Sequence, residues 1–558
     1  MFFPFGSESV VLDGFSPEGV KKKAKSILAL NSEQEAVYER IKKYFTHDRI
    51  FLLHGITGSG KTALYVRLCN DYFEKNKQVI MLVPEITLTP QLILFLTTYY
   101  NGKIAVIHSK IPVKEKYYYW NKIISGEITL VIGARSAVFA PVKNLGLIIL
   151  DEENDSSYKN NSVPRYSVRH IAQQLSKLTH ADVLLGSATP SIESYYQAEN
   201  KKIGFGQLLK RYYETKPPAV EIVRYRRTSE GLLSEKALNV VKECLSNNKQ
   251  IMIYYNHRGY GRTLQCAHCG VIAFCPNCSV TLYYYKKKQM LLCHYCGFAE
   301  PFNNLCISCG AGSMECMFSG IEVLEEEIRA QCIGYKVLRM DSDSAGSGKK
   351  IAASLKAFRE NEYHILIGTQ MIAKGHDFPG VELVVILNPE SVLSLPDFRS
   401  SERIFSQIVQ AAGRAGRREN PGQVMLQSSA ETHYAVTAAC SNDYKKFYIQ
   451  EIQKRKIFNY PPFSKLLRIV IRGIDSQRAA DFAEYAAKEL TALVGKSAVI
   501  IGPAPCIISK INGNFRWNLL CKILRYQAFM AAVHAFKKKN RIHGGLYIEY
   551  DMDPIDVI

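Results

Sequence analysis

The eight residues Gly55-Ile56-Thr57-Gly58-Ser59-Gly60-Lys61-Thr62 restrict this chain more than any other stretch. They fit the G-x4-G-K-[ST] pattern without a mismatch, and that pattern has meaning only between a buried strand and a helix. Ile50-Phe51-Leu52-Leu53 supplies the apolar strand on one side, and Ala63–Leu68 supplies the helical run on the other. Glycines let backbone N–H groups close on phosphate oxygens, and the helix N-terminus adds positive potential. Gly55, Thr57, Gly58, Ser59 and Gly60 are therefore expected to cradle a triphosphate such as ATP. Lys61 is expected to reach its β- and γ-phosphates, and Thr62 to ligate Mg²⁺. A plain glycine turn is the competing reading, and the flanking strand and helix argue against it.

Downstream, apolar runs alternate with amphipathic ones. Gln78–Val83, Ile104–Ile107, Ile128–Ile132, Leu147–Leu150 and Val183–Leu185 read as strands, with helices over Leu88–Tyr100, Val113–Ile124 and Val168–Leu178. This alternation predicts an α/β unit: a parallel sheet with helices on both faces and ligands at the carboxyl ends of its strands. Leu147–Leu150 runs into Asp151-Glu152-Glu153-Asn154. Asp151 is expected to hold Mg²⁺ through water and Glu152 to polarise an attacking water; a merely charged strand end is the alternative. Gly186-Ser187-Ala188-Thr189-Pro190-Ser191 reads as a turn, or as a segment that senses bound phosphate. Ser157–Tyr166 carries two aromatics and two cations. A base-stacking loop and a mobile surface loop fit it equally well.

Ahead of the phosphate loop, Asn31 and Gln34 have the spacing of a capping box for a helix through Ile41. Lys21-Lys22-Lys23-Ala24-Lys25, in a lead over residues 1–30, reads as a solvated basic run, with a nucleic-acid contact as the minority reading. Lys216-Pro217-Pro218 marks a linker. A second alternating block follows: helices Ser234–Leu245, Gly320–Ala330 and Ile351–Phe358, and strands Gln250–Tyr254, Lys336–Met340, His364–Ile367 and Leu383–Leu387. It contains no phosphate loop. Its helix Ser401–Ala411 leads into Gln410-Ala411-Ala412-Gly413-Arg414-Ala415-Gly416-Arg417. Arg414 and Arg417 are three apart and share a face on a helical turn. Arginines supplied across a cleft stabilise charge developing on a γ-phosphate; gripping DNA phosphate is the other reading.

Eight of the 15 cysteines form four C-x2-C pairs that interrupt the second block. Each pair can offer two thiolates to a tetrahedral Zn²⁺, so two ions are expected, and the pairs can be matched three ways. The spacing C-x2-C-x14-C-x2-C joins Cys275, Cys278, Cys293 and Cys296. Cys266, Cys269, Cys306 and Cys309 then form the other site. An iron–sulfur cluster is the alternative. Closed four-thiolate sites are structural, and His268 and His294 read as bystanders. Tyr283–Lys288 falls at an expected hairpin, where a nucleic-acid contact and an exposed basic turn are both open. Cys69, Cys244, Cys316, Cys332, Cys440, Cys506 and Cys521 lack ligand spacing and read as packed hydrophobes.

Composition narrows the partners. Across 558 residues the formal net charge is +20, which favours a polyanion, nucleic acid before a membrane surface. A hydrophobic content of 47% supports real cores. No run approaches the roughly 18 apolar residues of a membrane span, and the start of the chain lacks the basic region of a signal peptide. Cysteine pairs of metal-binding type point to a reducing, cytoplasmic setting.

Taken together, these motifs resemble the PriA family of replication-restart DNA helicases, superfamily 2 motors. Matching stretches are Gly55–Thr62, Leu82–Ile86, Gly186–Pro190, Ile367–Met371, Lys374–Phe378 and Gln410–Arg417, with the eight-cysteine insert inside the second lobe. Arg455-Lys456, Tyr460-Pro461-Pro462-Phe463 and Gly502-Pro503-Ala504-Pro505 look like the family's C-terminal domain. The resemblance implies two RecA-like parallel-sheet motor lobes, over 31–228 and over 229–261 with 318–430. It implies a two-zinc insertion over 262–317 and an α+β C-terminal domain over 431–558. It further implies ATP-driven 3′-to-5′ translocation on forked and single-stranded DNA, adenine reading by Gln34, and phosphate contacts from Gln410, Arg414 and Arg417. The implied partners are single-stranded-DNA-binding protein and the primosome and helicase-loading proteins, with the motor itself a monomer.

Several positions depart from the family pattern. Only 30 residues precede the first lobe, so the family's N-terminal 3′-end-binding domain and winged helix are expected to be missing. Asn154 stands where the family has histidine, Ala134 where threonine is usual, and Asn388-Pro389 where acidic residues are usual. These motivate two rival readings: a DNA-binding scaffold with weak or uncoupled ATPase, and a duplex translocase used in repair.

Overall fold

The computed structural model describes residues 29–555 apart from 85–95, 97–98, 101–102, 109–110, 213–217, 226–230, 256–263, 267, 269–272, 278–281, 286–289, 294–295, 297, 303–304, 307–308, 311–313, 317–320, 342–347, 370–371, 373–377, 394–396, 417–421 and 541–544. The lysine run of the lead, most of the helix expected over Leu88–Tyr100 and the 374–377 motif lie outside these residues.

The first lobe opens with α1 (Ser32–Tyr44), whose capping box forms as expected: the Asn31 side chain accepts from the Gln34 N–H and the Gln34 side chain accepts from the Asn31 N–H. β1 (Ile50–Gly55) and α2 (Lys61–Glu74) flank the glycine loop. β2 (Gln78–Leu82), β3 (Ile104–Ile107), β4 (Leu130–Gly133), β5 (Leu145–Asp151), β6 (Asp182–Ser187), α3 (Ile192–Glu199) and β7 (Gly204–Leu208) follow, with further helices over Val113–Ser125 and Val168–Thr179 where the sequence predicts them. The seven parallel strands run in the order β3-β4-β2-β5-β6-β1-β7. Alternate residues feed two cores, as a doubly covered sheet requires. Leu52, Ile80, Leu82, Ile148 and Leu150 face one core, and Phe51, Leu53, Val79, Met81, Leu147 and Ile149 the other.

The second lobe repeats this plan. Its strands are β8 (Ala219–Arg224), β9 (Gln250–Tyr255), β10 (Val337–Met340), β11 (Ile365–Gly368), β12 (Val381–Leu387) and, after α4 (Ser400–Ala412), β13 (Gln423–Ser428). They order as β8-β13-β12-β9-β11-β10. β8 corrects the sequence reading. It lies on the first-lobe side of the boundary expected at 228, directly after the proline linker, yet it pairs in parallel with β13 over Ala219–Arg224. Its alternating exposure is that of an edge strand, which in sequence resembles a polar connector. Past 431, the helix Tyr434–Cys440 and α5 (Tyr444–Ile457) pack into this lobe's core through Ala435, Val436, Tyr444 and Phe447.

The C-terminal unit is β14 (Lys465–Gly473), α6 (Ser476–Val494), β15 (Ala498–Ile511), β16 (Asn514–Ile523), α7 (Tyr526–Lys539) and β17 (Leu546–Met552). The order β15-β16-β14-β17 in an antiparallel sheet is the split β-α-β arrangement, with α6 and α7 supplying Ala483, Leu490, Phe529 and Phe536 to its core. The cysteine insertion forms two small antiparallel sheets. One pairs Leu264–Cys266 with Met314–Cys316; the other has Tyr283–Tyr285, Met290–Leu292 and Ala299–Pro301, so the expected hairpin is present.

Candidate functional site: a nucleotide cleft between the lobes

β1 is buried from Phe51 to Gly55 and delivers the glycine loop to the carboxyl edge of the first sheet. Gly58 and Gly60 have φ of 80° and 78°, a left-handed conformation that glycine adopts at little cost. The loop is tight: a side chain at Gly55 would lie 2.7 Å from Ser59 Oγ. Lys61 Nζ donates to the Gly55 carbonyl at 2.7 Å, so the ammonium sits across the mouth of the loop. Gln34 is fully buried, and its Nε2 donates to the Ser59 carbonyl at 2.9 Å. The residue that the resemblance links to adenine thus also braces the loop. Tyr212 N–H donates to the Gly58 carbonyl at 2.8 Å from the chain that leaves β7.

β5 ends in the three carboxylates. Asp151 is held from two sides: Tyr65 hydroxyl donates to its Oδ1 at 2.9 Å and Tyr158 hydroxyl to its carbonyl at 2.7 Å. Glu152 has φ of 48°, a strained value for a non-glycine residue. Among the described residues its Oε2 receives long contacts, from Ser187 Oγ at 3.3 Å and from Gln410 Nε2 of α4 at 3.4 Å. Burial raises the pKa of both Asp151 and Glu152, and the Lys61 charge opposes the rise. Glu153 points away and is saturated. It accepts from Ser191 N at 2.6 Å, Ser191 Oγ at 3.1 Å, Ser194 Oγ at 3.0 Å and Arg169 Nη1 at 3.2 Å.

The second lobe closes on this edge. Gly413 abuts the loop so tightly that a side chain there would lie 2.4 Å from Thr57 Oγ1. Arg414 is buried and its charge lowers the pKa of Glu152. Arg211 Nη1 donates to the Gly416 carbonyl at 2.7 Å. Arg417 lies outside the described residues. The structure therefore brings Gln34, the glycine loop, Lys61, Asp151, Glu152, Gln410 and Arg414 to one crevice. Sequence reasoning missed Tyr65, Tyr158, Arg211 and the role of Glu153. Tyr65 had a signal: it lies one helical turn after Lys61, on the same face.

Asn154 keeps the crevice connected. Its Oδ1 accepts from Ser187 Oγ at 2.7 Å and its Nδ2 donates to Thr189 Oγ1 at 3.3 Å. The Ser157–Tyr166 stretch is not a free loop. Lys159–Asn160 pairs with Tyr166–Ser167 as a short hairpin, and Arg135 Nη1 donates to the Lys159 carbonyl at 3.0 Å. Lys159 pairs with Asp551 at 2.8 Å and Arg165 with Glu549 at 2.5 Å, so both cations engage β17. At the other departure, Glu390 accepts from Ser428 Oγ, Ser429 N and Ser429 Oγ at 2.7, 2.7 and 2.6 Å.

The cysteines gather in two groups. Cys266, Cys306 and Cys309 converge in one, and Cys275, Cys293 and Cys296 in the other. Cys269 and Cys278 lie outside the described residues. The Sγ atoms of Cys266 and Cys309 are 3.7 Å apart, and those of Cys275 and Cys296 are 3.6 Å apart. Tetrahedral thiolates at about 2.3 Å from zinc stand about 3.8 Å apart, so the spacing fits that ion. His268 is exposed and donates its N–H to Cys266 Sγ at 3.4 Å.

Four family models match successive parts of the chain. A DEAD/DEAH box helicase model matches residues 31–198, and a helicase conserved C-terminal domain matches 311–419. The PriA DNA helicase Cys-rich region domain matches 275–301, and the primosomal protein N C-terminal domain matches 456–555. The replication restart protein PriA of Bacillus subtilis is 36% identical over 98% of this chain and 69% of its own length. That of Borreliella burgdorferi is 35% identical over 96% of this chain and 81% of its own, and that of Haemophilus influenzae 34% over 96% and 73%. The chain belongs to the PriA family. It is an ATP-dependent DNA helicase of replication restart, with a zinc-ribbon region, and DNA is its partner. No helix among the described residues is long and apolar enough to cross a membrane.

The PriA-type stretch around Arg455 holds the two lobes together. Arg455 is 2% exposed and donates to Glu451 at 2.8 Å, Glu193 at 3.2 Å and Glu402 at 2.6 Å. Glu193 comes from α3 of the first lobe, Glu402 from α4 of the second, and Glu451 from α5 itself. Beside it, Tyr444 hydroxyl donates to the Pro190 carbonyl at 2.7 Å, and Tyr448 hydroxyl to Glu199 at 2.6 Å.

Proposed function

We propose that this chain hydrolyses ATP with Mg²⁺ in the crevice between its lobes and moves 3′-to-5′ along a single strand at stalled forks. Thr62 and Asp151 would hold the Mg²⁺, which neutralises phosphate charge. Lys61 binds the β- and γ-phosphates; Gln34 reads the adenine; Glu152 draws the proton from the attacking water. Gln410, Arg414 and Arg417 meet the γ-phosphate from the far lobe. The lobe built on β1–β7 binds the nucleotide, and the second lobe, from β8 onward, closes over it. Two Zn²⁺ fold the 262–317 insertion, one on Cys266, Cys269, Cys306 and Cys309 and one on Cys275, Cys278, Cys293 and Cys296. A cytoplasmic setting, single-stranded-DNA-binding protein and the primosome and helicase-loading proteins complete the proposal.

The observation that carries it is a single carboxylate, Glu152, reached from its own lobe by Ser187 and from the opposite lobe by Gln410 at 3.4 Å. A group touched by both lobes can link hydrolysis to their separation. Lys61→Ala tests the reading, with ATP turnover and unwinding measured on partial duplexes tailed at the 3′ or 5′ end. Loss of both activities, with the wild type opening only the 3′-tailed substrate, is expected. Unwinding that survives Lys61→Ala would defeat it.

A further inference from the structure

Tyr65 sits one turn into α2 from Lys61, fully buried against the sheet. Its ring passes over the neighbouring strand, where Gly186 is paired with Asp151. A side chain at Gly186 would come 1.9 Å from the Tyr65 hydroxyl oxygen. Glycine at this strand end therefore leaves room for the Tyr65 hydroxyl where it reaches Asp151 Oδ1, at 2.9 Å. Tyr158 fixes the Asp151 backbone from the other side at 2.7 Å. The Glu152 backbone N–H adds a hydrogen bond to the same carboxylate, which the Lys61 charge also draws. Tyr65 is thus the one side chain among the described residues seen to tether the carboxylate, which lies in the field of Lys61.

We propose that Tyr65 is a positioning residue for nucleotide hydrolysis, setting the rotamer of Asp151 so that Oδ2 faces the metal that accompanies the triphosphate. This rests on the reading of Asp151 as the metal-holding carboxylate. Partners that orient a metal-holding group typically contribute about 10–100-fold to metal affinity or activity. Tyr65 donates in one direction only, because an ionised carboxylate has no hydrogen to give back. Gly186 acquires a second meaning as well: its lack of a side chain serves the carboxylate on the next strand.

The test is Mn²⁺ binding in the presence of ADP, titrated by electron paramagnetic resonance on the full chain, with thermal unfolding followed in parallel. Tyr65→Phe keeps the ring and is expected to weaken Mn²⁺ about 10-fold. Gly186→Ala should do the same by displacing the hydroxyl, and the double variant should be no worse than either, because both remove one contact. Asp151→Asn is the reference. If it weakens Mn²⁺ while Tyr65→Phe stays within about twofold of wild type, the inference about Tyr65 is overturned and the site reading stands. If Asp151→Asn leaves Mn²⁺ unaffected, both fall. A drop in unfolding temperature with Mn²⁺ affinity unchanged would assign Tyr65 to packing alone and also overturn it. Should Tyr65→Phe not fold, Gly186→Ala decides by the same criterion.

Discussion

Two groups of carboxylates stand at the junction of the lobes, and they are treated in opposite ways. Around Arg455, Glu193, Glu402 and Glu451 share one buried guanidinium, and the cluster spans both lobes and α5. In the crevice, Glu152 has two side-chain hydrogen bonds among the described residues, both longer than 3.2 Å, on a residue with strained backbone. The saturated cluster fixes geometry. The undersupplied one keeps its lone pairs for chemistry. The contrast recurs within one turn of chain, where Glu153 collects four donors next to Glu152.

The comparison breaks most sharply at Glu152. Glu152→Gln should lower DNA-stimulated ATP turnover about a thousandfold, the scale of a lost general base, with the unfolding temperature unchanged. A comparable loss from Glu153→Gln with the fold intact would erase the distinction between the neighbours.

Next in size is Arg455→Met, which strands three buried carboxylates and should cost about 3 kcal/mol in denaturant unfolding. The lower end of the usual range is expected because Glu402 already has a raised pKa, from burial against the pull of Arg455, and can take up a proton. Unfolding within about 1 kcal/mol of wild type would make the cluster dispensable.

A smaller effect concerns acid. His54 on β1 is buried against Tyr444 of α5, and burial, helped by the Lys61 charge, lowers its pKa from 6.5 to about 4. The unfolded chain takes up that proton first, so stability present above pH 6.5 is lost as pH falls toward 4. The slope should approach about 1.4 kcal/mol per pH unit from this one group, and His54→Gln should remove it from a pH series of urea midpoints. An unchanged slope between pH 6.5 and 4 would remove His54 as its source; Glu193, whose pKa is lowered by Arg455 despite its burial, adds its own loss only below pH 4.5.

The smallest change is expected from Asn154→Ala. It removes the Ser187 and Thr189 bonds, costing about 1 kcal/mol, and should lower base pairs opened per ATP more than ATP turnover itself. Equal losses would mean that asparagine here serves the saturated kind of structure rather than coupling.

Much of this was legible in sequence because parallel strands buried on both faces are apolar runs with sharp ends. Ile104–Ile107 coincides with its strand, and Leu147–Leu150 lies inside Leu145–Asp151. The glycine loop, the Asp151–Glu152 pair and Gln410 were visible as local patterns. Edge strands were not: β8 follows a proline and alternates with solvent, so it resembled a linker. Arg211 escaped because its partner, the Gly416 carbonyl, is far along the chain, and Arg455 was legible as part of a motif but not as the ion-pair centre of both lobes. Lys159 pairs with Asp551, and no local periodicity reports a contact that far along the chain. The capping box of Asn31 and Gln34 was legible, but its second duty against Ser59 depended on the tertiary fold.

The tip of the β15–β16 ribbon lies on the cysteine insertion: Gly513 N–H donates to the Asn277 carbonyl at 2.9 Å, and Ile508 and Ile511 pack around Cys275 and Cys293. The lid of this thiolate knuckle is therefore translated more than two hundred residues after the knuckle itself. During synthesis the sulfurs emerge from the ribosome long before their cover, leaving an interval in which they are open to oxidation and to competing ions. A stop codon just before Ile508 would extend that interval to the lifetime of the protein.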